Sequence, residues 1–247
     1  MLYVGGKKAA ICKGDFHPAA LFKGNNKIAG YTVKEIEGIG IAILEHCYND
    51  KVYNLQISEN VESVSVRGKN YFDLAKVPFS NNTTEPYKNG LKAERTSGDN
   101  RGNKIPITLP VGKTIYTSMD VVDSKISGSA ARVTMGFYTK GGSAIITQNI
   151  TATKAHKTYS FTLSKEVNYI QFYFQSDTNK NAVGDYVTMD NIMLRTEGED
   201  VFESYVKPRT ILLVNGKPSE EIPTFKGTTV IEIDTTAQIN GTYKKME

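Results

Sequence analysis

Tyr169, Gln171, Tyr173 and Gln175 form one side of the most regular alternation in the chain, with Ile170, Phe172 and Phe174 on the other. Successive side chains of an extended segment point to opposite faces, so this run presents ring, amide, ring, amide to one side and buries its apolar side. At about 3.3 Å per residue, Tyr169 and Tyr173 stand roughly 13 Å apart with Gln171 midway between them. A tyrosine ring can lie on the C–H patches of a sugar while its hydroxyl stays polar, and an amide both donates and accepts hydrogen bonds. The same residues also suit a solvated or partner-covered sheet face, because Tyr is a good strand former and cross-strand Tyr pairs stabilise sheets without a ligand. The absence of Trp weakens a sugar platform.

The other residues with chemical potential fall short of a catalytic pattern. Gly112-Lys113-Thr114 matches the end of a phosphate-binding loop, but Ile107 stands where the earlier glycine is required, and a strand pattern rather than a helix follows. No Gly-x-Ser-x-Gly elbow and no His-Glu-x-x-His is present. His17, His46 and His156 lie in unrelated contexts. Cys12 and Cys47 with His17 and His46 could spell a zinc set, yet neighbouring His46 and Cys47 would point to opposite faces of extended chain. Two cysteines make no disulfide framework for 247 residues. The chain reads as non-catalytic, although a pair of carboxylates assembled only by the fold could still hydrolyse a glycan.

The elements that must position the tyrosine face are strands. Ile115, Thr117, Met119 and Val121 alternate with Tyr116, Ser118, Asp120 and Val122, and Val133, Met135 and Phe137 alternate with Arg132, Thr134, Gly136 and Tyr138. Each is a strand pattern with one buried face. A Gly141-Gly142 turn leads to a run over 143–150, followed by Tyr159, Phe161 and Leu163 set against Ser160 and Thr162. Short β elements are also expected over 19–23, 27–33 and 52–57, and over 210–214 and 228–234, with a hairpin signal at Asn215-Gly216. The last 40 residues or so bury too little to stand alone, so they are expected to pack on the N-terminal region and leave the middle as an insertion.

Charge and hydropathy restrict the setting. A net charge of +4 with no run of five or more basic residues argues against a nucleic-acid footprint. Residues 1–10 lack the apolar stretch of a secretory signal. The longest apolar run, 39–44, is far shorter than the roughly 20 residues of a spanning helix, so no membrane insertion is expected.

Two segments frame the middle of the chain. Gly68-Lys69-Asn70-Tyr71-Phe72 opens it, and Asn191-Ile192-Met193-Leu194, Gly198 and Phe202-Glu203-Ser204-Tyr205 close it. With Pro223-Thr224-Phe225-Lys226-Gly227-Thr228 in the tail, and Ile28-Ala29-Gly30-Tyr31-Thr32 and Tyr48-Asn49-Asp50-Lys51-Val52-Tyr53 in the leading part, the chain resembles tail or baseplate-associated proteins of phages and prophages of Gram-positive bacteria.

That resemblance implies an all-β protein with a jelly-roll sandwich, like a carbohydrate-binding module, at 67–206. Smaller β-rich regions would flank it at 1–66 and 207–247. In such a fold the strands carrying Arg132 to Tyr138 and Tyr169 to Gln175 lie side by side. Tyr138, Tyr169, Gln171, Tyr173, Gln175, Arg132 and Thr134 would then share one surface. Modules of this kind often hold calcium near the first and last strands, where Asp73, Asp190 and Asn191 offer hard oxygen ligands; no other cofactor is expected.

The implied function is non-catalytic: a tail protein, made in the bacterial cytoplasm without a signal peptide, that binds host cell-surface polysaccharide. The alternative is an assembly protein whose sheet face packs on another subunit, and the third a cell-wall glycan hydrolase. Partners would be wall glycan, other tail proteins and, by resemblance to tail fibres, further copies of the chain.

Overall fold

The structure, a computed structural model, describes residues 61–78, 84–96, 102–128, 132–174, 182–196, 200–225 and 227–233, with the backbone of strands lying between 2 and 57 and of Ile239–Lys244. Its chain divides into two compact units, Lys69–Tyr205 and a second made of Met1–Gly68 with Val206–Glu247. The described elements are strands apart from one 3-10 turn at Leu74–Lys76, so the protein is all-β.

The described residues of the Lys69–Tyr205 unit form nine strands: β1 (Thr84–Tyr87), β2 (Gly90–Glu94), β3 (Ile105–Leu109), β4 (Thr114–Lys125), β5 (Arg132–Tyr138), β6 (Ala144–Thr151), β7 (Ala155–Thr162), β8 (Val167–Phe174) and β9 (Tyr186–Arg195). They form a five-stranded sheet in the order β7-β4-β9-β2-β1 and a four-stranded sheet in the order β3-β8-β5-β6. Every pairing is antiparallel. Apart from the β1–β2 and β5–β6 hairpins, each strand hands the chain to the opposite sheet. The resulting 2-9-4-7 and 3-8-5-6 orders are those of a jelly roll.

Apolar alternation explains which side of each strand turns inward. Ile105, Ile107 and Leu109 on β3, Val133, Met135 and Phe137 on β5, and Ile170, Phe172 and Phe174 on β8 meet Leu91, Ile115, Met119, Val187, Met189, Ile192 and Leu194 of the other sheet in one core. Phe72, from the opening segment, enters the same core and meets Phe172 edge-on at 6.3 Å between centroids. On β9 the spacing changes from Val187 and Met189 to Ile192 and Leu194. A bulge at Asn191, with φ of 51°, takes up the extra residue, and the register opposite slips between Ser118 and Asp120. Asparagine tolerates this left-handed conformation better than a β-branched residue would.

The framing segments are tied together by one side chain. The Asn70 amide donates to Ile192 O at 3.2 Å and Glu203 O at 2.9 Å, and its carbonyl accepts from Phe72 N at 2.9 Å and Leu194 N at 3.1 Å. Tyr71 N–H donates to Leu194 O at 2.8 Å, and the buried Lys69 ammonium lies 3.0 Å from Glu203 Oε1. The opening segment thus runs beside the last strand because a single buried amide satisfies four backbone groups there.

In the other unit, Gly227–Glu232 pairs with both Ser63–Gly68 and Ile41–Cys47, while Arg209–Val214 pairs with Ser63–Gly68. Ile222–Pro223 and Ile239–Lys244 flank Lys51–Ile57 in a separate sheet. Asn215 and Gly216, at φ of 52° and 72°, make the hairpin that their sequence signals. With Gly68 and Val206, Arg67 falls in this unit rather than in the 67–206 module expected from sequence. Its strand pairs with Val230, and its guanidinium lies 3.2 Å from Glu232 Oε2. Cys12 and His17 lie outside the described residues, and of His46 and Cys47 only the backbone, in Ile41–Cys47, is described.

Candidate functional site

Strands β5 and β8 are neighbours, and their register sets Thr134 opposite Tyr173, Gly136 opposite Gln171, and Tyr138 opposite Tyr169. The residues between them face the core, so these six share the outer side of the four-stranded sheet. The rings of Tyr138 and Tyr169 stack at 5.1 Å between centroids with 9° between planes. Tyr138 hydroxyl donates to Tyr173 hydroxyl at 3.2 Å, joining the three tyrosines into one cluster. Thr134 hydroxyl donates to Asn149 Oδ1 at 3.0 Å.

A glycine makes this arrangement possible. A Cβ on Gly136 would come within 2.6 Å of the Tyr138 ring, so the ring leans back along its own strand over the bare glycine. The segment leading into β3 contributes from the far side: Gln171 Nε2 donates to Gly102 O at 3.0 Å, and Lys104 Nζ stands 4.9 Å from the centroid of the Tyr169 ring. Tyr169 and Gln171 remain only 8% and 6% exposed on an outward face. Over them opens a concavity of about 500 Å³, lined by Gly102, Lys104, Tyr138, Gly142, Tyr169, Gln171 and Tyr173.

Four residues singled out from sequence therefore line one cavity: Tyr138, Tyr169, Gln171 and Tyr173. Arg132 is described only in its backbone, paired with Thr151, and Gln175 lies outside the described residues. Gly102, Lys104 and Gly142 were not anticipated. Gly102 and Gln171 are 69 positions apart, a separation that strand periodicity cannot bridge. The stacking also alters the expected geometry, since Tyr138 covers one face of the Tyr169 ring. The rings act as a joined wall rather than two separate platforms.

The residues considered for calcium are engaged by protein donors. Asp73 caps the 3-10 turn by accepting from Ala75 N at 3.1 Å. Asp190 accepts from Asn89 N at 3.1 Å and Asn191 N at 2.8 Å, with Lys88 Nζ at 4.0 Å. Asn191 donates to Asp120 at 2.8 Å and accepts from Asn89 at 3.1 Å. Among the described residues, no group of three or more His, Cys, Asp or Glu is arranged to hold a metal ion.

The outer side of the five-stranded sheet carries a second polar group. His156 lies between two acids, with Nδ1 2.7 Å from Asp120 and Nε2 3.0 Å from Asp200. Arg195 donates to Asp200 at 3.1 Å and to Ser118 hydroxyl at 3.5 Å, and sits 5.6 Å over the Tyr116 ring. The hydrogen bond to Asp120, then that to Asp200, raises the pKa of His156 above its ordinary value. Partial burial opposes ionisation of Asp120, but hydrogen bonds from His156 and Asn191 outweigh it and hold its pKa low. At Asp200 burial is likewise outweighed, there by Ser118, His156 and Arg195.

Among the described residues, no helix is long and apolar enough to cross a membrane. No family model, no curated protein and no solved structure matches this chain.

Proposed function

We propose that the protein is a non-catalytic phage or prophage tail component that binds host cell-surface carbohydrate through the outer face of its four-stranded sheet. The observation that carries this reading is the concavity of about 500 Å³ lined by three tyrosines and the amide of Gln171. Rings supply apolar surface for sugar C–H groups, while the hydroxyls and the amide offer fixed donors and acceptors for sugar hydroxyls. Its volume falls within the range of small-molecule sites, roughly 300–1,000 Å³. The tail setting rests on the framing segments and their resemblance to tail proteins.

The test is a pull-down on purified Gram-positive cell walls with the wild type and a Tyr169→Ala/Tyr173→Ala variant whose folding is checked by circular dichroism. Wall binding by the wild type and its loss in the variant support the reading. No wall binding, or equal binding by both, contradicts it.

A further inference from the structure

The concavity holds one ionic group among its described lining residues, the ammonium of Lys104. Lys104 immediately precedes β3, an edge strand paired with β8, and its ammonium stands over the Tyr169 ring. No carboxylate pairs with it among the described residues. Three other cations of this unit do meet carboxylates: Lys92 contacts Glu94 and, at 3.5 Å, Glu85; Arg195 meets Asp200 at 3.1 Å; and Lys154 meets Asp123 at 3.1 Å. Lys104 is exposed, and a ligand filling the groove takes part of the water from its ammonium. Neutral hydroxyls compensate that loss weakly, whereas an anion on the ligand supplies the missing counter-charge.

We propose that the sugar held in this groove is acidic, carrying a carboxylate or a phosphate ester that lies against Lys104 while the pyranose ring lies against the tyrosine wall. This inference rests on the carbohydrate-binding reading and adds charge selection to it. Held against an aromatic face, the lysine loses less side-chain freedom on meeting the anion than a freely waving one would.

The experiment is competition for binding of the full chain to Gram-positive wall glycan by three sugars sharing one pyranose framework: glucose, glucuronate and glucose 6-phosphate. At low salt one of the two acids is expected to displace wild-type protein about fivefold more effectively than glucose, the scale of one partly exposed ion pair. Which acid does so separates a carboxylate source from a phosphate source. The preference should fade at about 1 M salt, where screening shortens to about 3 Å. It should vanish in Lys104→Gln and persist in Lys104→Arg. If the wall is bound and lost on Tyr169→Ala/Tyr173→Ala, yet the three sugars compete equally or Lys104→Gln keeps the preference, charge selection is overturned while the carbohydrate reading stands. Absence of wall binding by the wild type overturns both.

Discussion

On the outer side of the five-stranded sheet, His156, Asp120, Asp200 and Arg195 spend their charges on one another. On the outer side of the four-stranded sheet, three tyrosines and Gln171 line an open cavity, and its one described cation faces a ring. Both faces belong to the same sandwich, and both have alternating strands with an apolar inner side. The difference lies in whether the polar groups complete a network within the fold or leave hydrogen-bonding and apolar surface turned toward a concavity. A completed network contributes to holding strands and segments together. A concave, aromatic-walled surface costs solvation that a ligand can recover, which is why the second face is the stronger candidate for recognition.

The largest effect is expected where the two faces share their support. Phe172 is fully buried against Phe72 on the inner side of β8, so Phe172→Ala should destabilise the unit by about 3–5 kcal/mol in urea unfolding. A loss below about 1 kcal/mol would mean that the core does not hold β8 as described.

Next comes the contrast between faces. Tyr169→Ala/Tyr173→Ala should weaken wall binding about tenfold or more, from two aromatic contacts of roughly 0.5–1.5 kcal/mol each. Asp120→Asn/Asp200→Asn should leave binding within about twofold, because Asp120 lies on the other sheet and Asp200 meets it through His156. A reversed pattern would move recognition to the His156 face.

A smaller effect is expected from Gly136→Ala. The new methyl would displace the Tyr138 ring and its stack on Tyr169, reducing binding about fivefold while changing stability by about 1 kcal/mol or less. Unchanged binding would show that the leaning ring is not part of the recognition surface.

The smallest concerns pH. Because the folded-state pKa of His156 is raised above 6.5, its contribution is complete below that value and is lost as pH rises through the folded pKa. Asp120 and Asp200, held below 3.8, contribute above that value and lose their contribution as pH falls through their folded values. The network is therefore complete between these limits. With the His156 side chain 52% exposed, the gain at about pH 5.5 over about pH 8 should be under about 1 kcal/mol and should disappear in His156→Gln. Urea midpoints of the two proteins at both pH values measure it, and an equal pH response in both would contradict this role.

The fold was legible where period-2 alternation is strong. Ile170, Phe172 and Phe174 against Tyr169, Gln171 and Tyr173 identify both β8 and its outward face. β1 and β3 carry a weak strand signal because Pro86 and Pro106 interrupt it, and the structure sets both on sheet edges, where a missing N–H is tolerated. The Asp190-Asn191 pair offers hard oxygen atoms in the sequence, and in the fold Asn191 also makes the bulge that keeps Met189 and Ile192 both facing the core. In the site, the tyrosines and Gln171 could be read from one strand and its neighbour. Gly136 reveals its part only through the ring lying over it, and Lys104 only through a contact across strands.

Recognition by the tyrosine face can be read from backbone amide shifts of the isotopically labelled full chain during titration with solubilised Gram-positive wall glycan. Perturbations should cluster at Gly102, Lys104, Tyr138, Gly142, Tyr169, Gln171 and Tyr173, with His156, Asp120 and Arg195 unmoved. Perturbations confined to the His156 face, or none at saturating glycan, would contradict it.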